Sequence, residues 1–159
     1  MSSEYDSTHD IMRHQERVGQ LLTHVVRELI DRALFHDKSK LSPKEKPIFD
    51  KFTPLLKDLI YGSSEYDQAL IDLKPALDHH YKVNPHHPEH FSNGIEGMTL
   101  IDLLEMLCDW IASTQRVSDG DIQKSFRVNQ ERFHIHPQLM AILRNTVRFI
   151  EDGKKGEVI

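Results

Sequence analysis

Apolar residues in this chain recur at three- and four-residue intervals, and no alternating run is long enough to demand a sheet. From Thr8 to about Ala33 the positions Ile11, Val18, Leu21, Leu22, Val25, Leu29, Ile30 and Ala33 trace one stripe of a 3.6-residue period. That period predicts an amphipathic helix, capped at Ser7 or Thr8 and interrupted by the string His36-Asp37-Lys38-Ser39-Lys40-Leu41-Ser42-Pro43. The expected fold class is therefore all-α: one compact helical bundle of about five to seven helices. At 159 residues the chain is long enough to bury one continuous core. A single domain over residues 1–159 is expected, with residues 1–7 and 153–159 frayed.

The same reasoning locates the remaining elements. Ser42-Pro43-Lys44-Glu45 reads as a cap, a first-turn proline and an acidic first turn, opening a helix through Phe49, Phe52, Leu55, Leu56 and Leu59. Pro47 and Pro54 are expected to bend or split it. Tyr61-Gly62-Ser63-Ser64 is turn chemistry. Leu70, Leu73, Leu77 and Tyr81 then continue a helical period, made irregular by Pro75, that carries His79-His80 at its end. Residues 84–98, rich in proline, glycine and histidine, predict a loop of functional length. Thr99 should cap a helix through Leu100, Leu103, Leu104, Leu107, Trp110 and Ile111, ended by Ser118-Asp119-Gly120-Asp121. Two further helical patterns follow, at about 121–133 and 137–151.

Composition excludes several functions. A net charge of −5 and a pI near 6.1 provide no basic stripe for a duplex backbone, so no duplex nucleic acid is expected as partner. No stretch approaches the roughly 18 apolar residues of a membrane span, and the polar N-terminus has no leader pattern, so the expectation is a cytoplasmic protein without membrane association. The single cysteine, Cys108, lies in an apolar run and predicts a buried, inert thiol. The eleven histidines stand out, because five of them fall between His79 and His90.

These histidines share the sequence with two carboxylates in unusual places. An adjacent imidazole and carboxylate at a helix end, His36-Asp37, can both reach one ion where helical geometry relaxes. A mixed nitrogen and oxygen shell suits a divalent transition metal such as Mn, Fe, Co, Ni or Zn. Asp109 interrupts Leu104-Glu105-Met106-Leu107-Cys108-Asp109-Trp110, where a carboxylate drawn toward the interior must meet a metal or a cation; Arg116 and Arg13 are the salt-bridge alternatives. Among His79, His80, His86, His87 and His90 at least two can converge, whereas His79 and His90 taken singly read as incidental. His14, within the apolar stripe, is preferred over His24 as an upstream ligand, although 22 positions of unbroken helix would hold His14 roughly 33 Å from His36.

The string Ala33-Leu34-Phe35-His36-Asp37-Lys38-Ser39-Lys40 resembles the HDxxK signature of the HD-domain superfamily, in which a histidine, a histidine–aspartate pair and a distant aspartate succeed one another. His14, His36-Asp37 and Asp109 follow that order. With His79 to Trp110 included, the resemblance covers roughly residues 10–115 and is stronger to an uncharacterised HD-like family of small bacterial and viral proteins. Ser39 stands where many members have glycine, and the spacing before the pair is short. The resemblance implies an all-helical HD-like domain with His14, His36, Asp37 and Asp109 as metal ligands. It further implies that His80 and His86 or His87 hold a second metal or contact phosphate, that Lys40 braces the turn, and that the substrate is a small phosphorylated molecule such as a nucleotide.

The implied chemistry is hydrolysis at phosphorus by metal-activated water, with Asp37 orienting the nucleophile and His80 or His86 assisting the departing oxygen. Lys38, Lys40, Arg17, Lys124 and His87 are the candidate substrate contacts. Two other readings compete: a non-catalytic HD-like metal- or nucleotide-binding regulatory module, and a di-iron oxygenase of the HD type. Phe49, Phe52 and Leu56, read as exposed, suggest a homodimer.

Overall fold

Helices form where the apolar period predicts them, and the computed structural model describes residues 5–58, 64–116 and 120–155. Six α-helices, three short 3-10 turns and no strand occur among the described residues, which makes the fold all-α. None of these helices is long and apolar enough to cross a membrane. The chain divides into two compact units, Met1–His36 and Asp37–Ile159.

The first unit is one helix, α1 (Thr8–Phe35), 28 residues long and two residues longer than the stripe predicts. It ends because His36 leaves helical geometry (φ −47°, ψ 128°). A lone helix cannot bury its own apolar stripe, so nothing inside this unit supplies a core.

The second unit begins with Asp37 in the left-handed region (φ 55°, ψ 14°), followed by a 3-10 turn at Lys38–Leu41. Aspartate is among the few residues with a side chain that tolerate this conformation. Helix α2 (Lys46–Asp58) starts three residues after the predicted Pro43, because Ser42 to Glu45 close a turn through Glu45 N–H to Ser42 O and Lys46 N–H to Ser42 O. Neither Pro54 in α2 nor Pro75 in α3 (Ser64–Val83) splits its helix, and Pro47 sits in the first turn of α2, where its missing N–H costs little. Leu59, the 61–63 part of the predicted turn and Ser118-Asp119 lie outside the described residues, as do residues 1–4 and 156–159 of the ends expected to fray. Within the C-terminal end, α6 runs on to Lys155.

Two apolar clusters build the second unit. Phe52 of α2 packs with Ala69, Leu73 and Ala76 of α3, and Phe49 packs against them. Phe49 and Phe52 are therefore engaged inside the unit, contrary to the exposed, dimer-facing expectation, while the side chain of Leu56 lies outside the description. The larger cluster joins Leu107 and Ile111 of α4 (Leu100–Gln115), Phe126 of α5 (Ile122–Arg132) and Met140, Leu143 and Val147 of α6 (Pro137–Lys155), together with Ile135. Thr99 starts α4 as predicted, through a reciprocal capping box: the Asp102 N–H donates to Thr99 Oγ1 (3.2 Å) and the Thr99 N–H to Asp102 Oδ2 (2.9 Å). Helix α5 ends where His134 takes a left-handed conformation (φ 51°). Cys108, on the other hand, is exposed, since its neighbours Met106 and Leu107 hold the core-facing positions of α4.

Phe126 is fully buried, and its truncation leaves a cavity that helices on three sides cannot collapse into. Phe126→Ala should destabilise the protein by about 3–5 kcal/mol, measured as a lowered urea midpoint with an unchanged slope.

Candidate metal centre

The left-handed turn at Asp37 ends the helical path, and the following 3-10 turn brings Lys40 back over it: Lys40 Nζ donates to Asp37 Oδ2 at 2.5 Å. Oδ1 of the same carboxylate lies 3.1 Å from His80 Nε2 and 3.4 Å from His86 Nε2. His80 comes from the last turn of α3 and is 1% exposed, as is His86. Asn84 folds the chain back after α3, with its side-chain amide donating to the His80 carbonyl (2.8 Å) and its own carbonyl accepting the His87 N–H (3.2 Å). That reversal stacks the ring of His87 4.1 Å from His86 and sets His87 Nε2 3.0 Å from His80 Nε2.

Asp37, His80, His86 and His87 thus each offer one ligating atom, all within 4.8 Å of one another. Bonds of about 2.1 Å to a divalent transition ion put neighbouring ligand atoms roughly 3.0 Å apart in an octahedron and 3.4 Å apart in a tetrahedron. The separations of 3.0, 3.1 and 3.4 Å fall on those two values. Three imidazoles and one carboxylate can hold Mn, Fe, Co, Ni or Zn, and suit Mg or Ca poorly. Asp109, on α4 and partly exposed, brings a carboxylate oxygen within 4.8 Å of one from Asp37, and accepts from Ser113 Oγ at 3.4 Å.

Carboxylates that sequence reasoning missed orient this set. Glu45, fully buried, places Oε2 3.1 Å from His80 Nδ1 and Oε1 2.6 Å from His79 Nδ1, and Ser39 Oγ donates to Oε2 at 3.1 Å. Glu105 Oε1 lies 3.1 Å from His86 Nδ1. A histidine whose Nδ1–H points at a carboxylate presents the Nε2 lone pair, as a metal ligand must. His79, read as incidental, is therefore part of the Glu45 support, whereas His90 meets the Tyr81 carbonyl (3.0 Å) and the Phe91 ring (centroids 4.8 Å apart). Glu105 was within reach of the sequence, since it lies four residues before Asp109 and so on the same face of α4. Glu45 was not, because its partners are 34 and 35 positions away.

The other candidates sort by position. His36 is the C-cap of α1 and closes the first unit. His14 lies 22 positions earlier on an unbroken helix, roughly 33 Å from His36 at about 1.5 Å per residue. It cannot share an ion with His36, and Gly19 provides no bend. Arg17 is also mid-helix, with Nη1 donating to Gln20 at 3.1 Å, and is held far from the end of α1 for the same reason. Lys38 is exposed on its turn, Lys40 is bound to Asp37 as a brace, and Lys124 of α5 lines a cavity that His87 also lines.

Electrostatics follow from the packing. Burial alone would raise the pKa of Asp37, but hydrogen bonds from His80, His86 and Lys40 outweigh it and hold the carboxyl well below the usual range. Burial pushes His87 down to about 3, helped by His86 and His80 and partly opposed by Asp109 and Asp37. Cys108 is pushed up by partial desolvation and by Glu105, so its thiol is not activated.

Two outcomes are expected. Glu45→Gln and Glu105→Gln should each weaken binding of Mn(II) or Zn(II) about 10–100-fold in a chelator-competition titration, with His90→Ala unchanged. In metal-free protein His87 titrates near 6.5 when unfolded and near 3 when folded, so the unfolded chain binds more protons in that window. Stability should fall as pH drops from 7 to 5, and His87→Asn should flatten the dependence of the urea midpoint on pH.

No curated protein and no solved structure matches the chain. A family match covers residues 3–149, nearly the whole chain, and the protein belongs to that family, DUF5662, a family of unknown function.

Proposed function

We propose that the second unit is a metal-dependent phosphohydrolase centre of the HD type, acting on a small phosphorylated molecule. The observation that carries this reading is the facing pair His80 Nε2 and His87 Nε2 at 3.0 Å, beside Asp37 Oδ1 at 3.1 Å. With a cation in place of any proton on Nε2 and the Nδ1 proton directed at Glu45, His80 would turn its Nε2 lone pair to the ion that His87 Nε2 also faces. The donor set fits a divalent transition ion, with Asp37, His80, His86 and His87 as ligands.

Such an ion, when bound, supplies an acidified water and a Lewis acid for a phosphoryl oxygen. The chain's own residues do the rest. Asp37 stays ionised across the physiological range and is held in one orientation by Lys40, so a single oxygen faces the centre. To Asp109, partly exposed on α4 and accepting from Ser113 Oγ at 3.4 Å, we assign the acceptance of a proton from an attacking water. His87, neutral at pH 7 and open to the adjoining cavity, offers a hydrogen bond to the departing oxygen. Lys40 is assigned to bracing rather than to phosphate. Lys124, which lines the same cavity as His87, is assigned to the substrate.

Elemental analysis of the purified protein should find a transition metal retained in proportion to chain. Nucleotides and simple phosphate esters screened with Mn, Co and Ni should then release phosphate. His80→Ala and His86→Ala should each abolish metal retention and lower turnover by about 10²-fold or more, and His90→Ala should change neither. A protein that retains no metal and releases no phosphate under any of the three ions would end this reading.

A further inference from the structure

A cavity of about 490 Å³ opens beside the histidine cluster, with His87 belonging to both. Its volume lies within the range of small-ligand sites. The walls are aromatic on one side. The ring of Tyr81 lies 4.9 Å from that of His87, and Trp110 stands edge-on to the buried Phe126 with centroids 6.3 Å apart. Trp110 and His87 line the same cavity, so a group resting on the indole shares that space with the His87 edge of the cluster.

The charges around this cavity cancel. Arg132 Nη2 is held by Glu89 Oε1 at 2.5 Å, and Asp121 is engaged as the N-cap of α5, accepting from the Gln123 N–H at 2.7 Å. Two cations, Lys124 and Arg132, thus face two carboxylates, Glu89 and Asp121. A ligand with several phosphates gains little from such a lining, whereas a flat uncharged group gains contact with aromatic faces.

Resting on the hydrolase reading, we infer that this cavity receives the neutral planar organic group of a phosphate monoester, seated on Trp110, with its single phosphate directed to the His87 edge of the cluster. The substrate class is monophosphate esters of flat neutral groups, such as a nucleoside or an aryl alcohol, and polyphosphates are disfavoured.

Trp110 is the only tryptophan, so its fluorescence reads the cavity directly. Adenosine and uridine, which carry no phosphate, are titrated into the full-length protein with Mn(II) and again with a chelator. A saturable change in Trp110 emission is expected in both conditions. Val128→Phe fills the cavity from an exposed position outside the cluster, and should weaken that binding by about tenfold or more while leaving Mn(II) affinity and melting temperature as in the parent. Absence of a saturable change in the parent, or binding indifferent to Val128→Phe, overturns the inference. So does adenosine triphosphate binding more tightly than adenosine monophosphate in chelator. The two proposals fail separately: nucleoside binding without phosphate release from any ester sinks only the hydrolase reading. Equal release from glycerol phosphate and adenosine monophosphate, with no emission change, sinks only the cavity assignment.

Discussion

A buried carboxylate between two imidazoles is the constraint on which the second unit's centre depends. Glu45 has no exposed surface, and an ionised carboxylate in that position is tolerable only if its lone pairs are filled. His79, His80 and Ser39 fill them, at 2.6, 3.1 and 3.1 Å. Those three partners come from α3 and from the 3-10 turn after Asp37, so satisfying one carboxylate pins together the two segments that carry the central ligands. The order of causation is tertiary. The α2–α3 packing through Phe52, Leu73 and Ala76 sets where Glu45 sits, and Glu45 sets which nitrogen of His80 faces the centre.

Oriented donors, rather than net charge, distinguish this centre. The protein carries −5 overall, yet the cluster gathers three imidazoles around one carboxylate oxygen. Burial, with His86 and His80 close by, disfavours a proton on His87, and that same resistance keeps its nitrogen lone pair available near neutral pH. Asp37 experiences the opposite field and remains ionised. One geometry therefore tunes bases and acid in the directions that cation binding requires.

Helices were legible because their signal is local. The apolar period found α1 and α4 to within two residues, and the Thr99 capping box could be read from four residues. The start of α2 was misplaced because Ser-Pro-Lys-Glu satisfies the rules for a helix N-terminus, while Glu45 is drawn instead to histidines 34 and 35 positions away. Chemistry at the centre was half legible. Asp37, His80, His86, His87 and Asp109 announced themselves as carboxylates and imidazoles out of place, but a histidine's partner cannot be read from a single chain. His14 failed for a reason already visible in the sequence: a continuous helix converts sequence distance into physical distance, at about 1.5 Å per residue. Cys108 failed because an apolar run on a helix does not bury every residue in it.

The left-handed backbone at Asp37 narrows what evolution or an engineer can place there. Glycine, asparagine and aspartate accept a φ near 55° with little penalty, whereas a β-branched residue such as valine or isoleucine would have to distort the turn that carries Lys40. Of those three only aspartate brings an anion. Main-chain shape and ligand chemistry thus independently select the same residue, and asparagine is the replacement that removes charge while preserving the path of the chain.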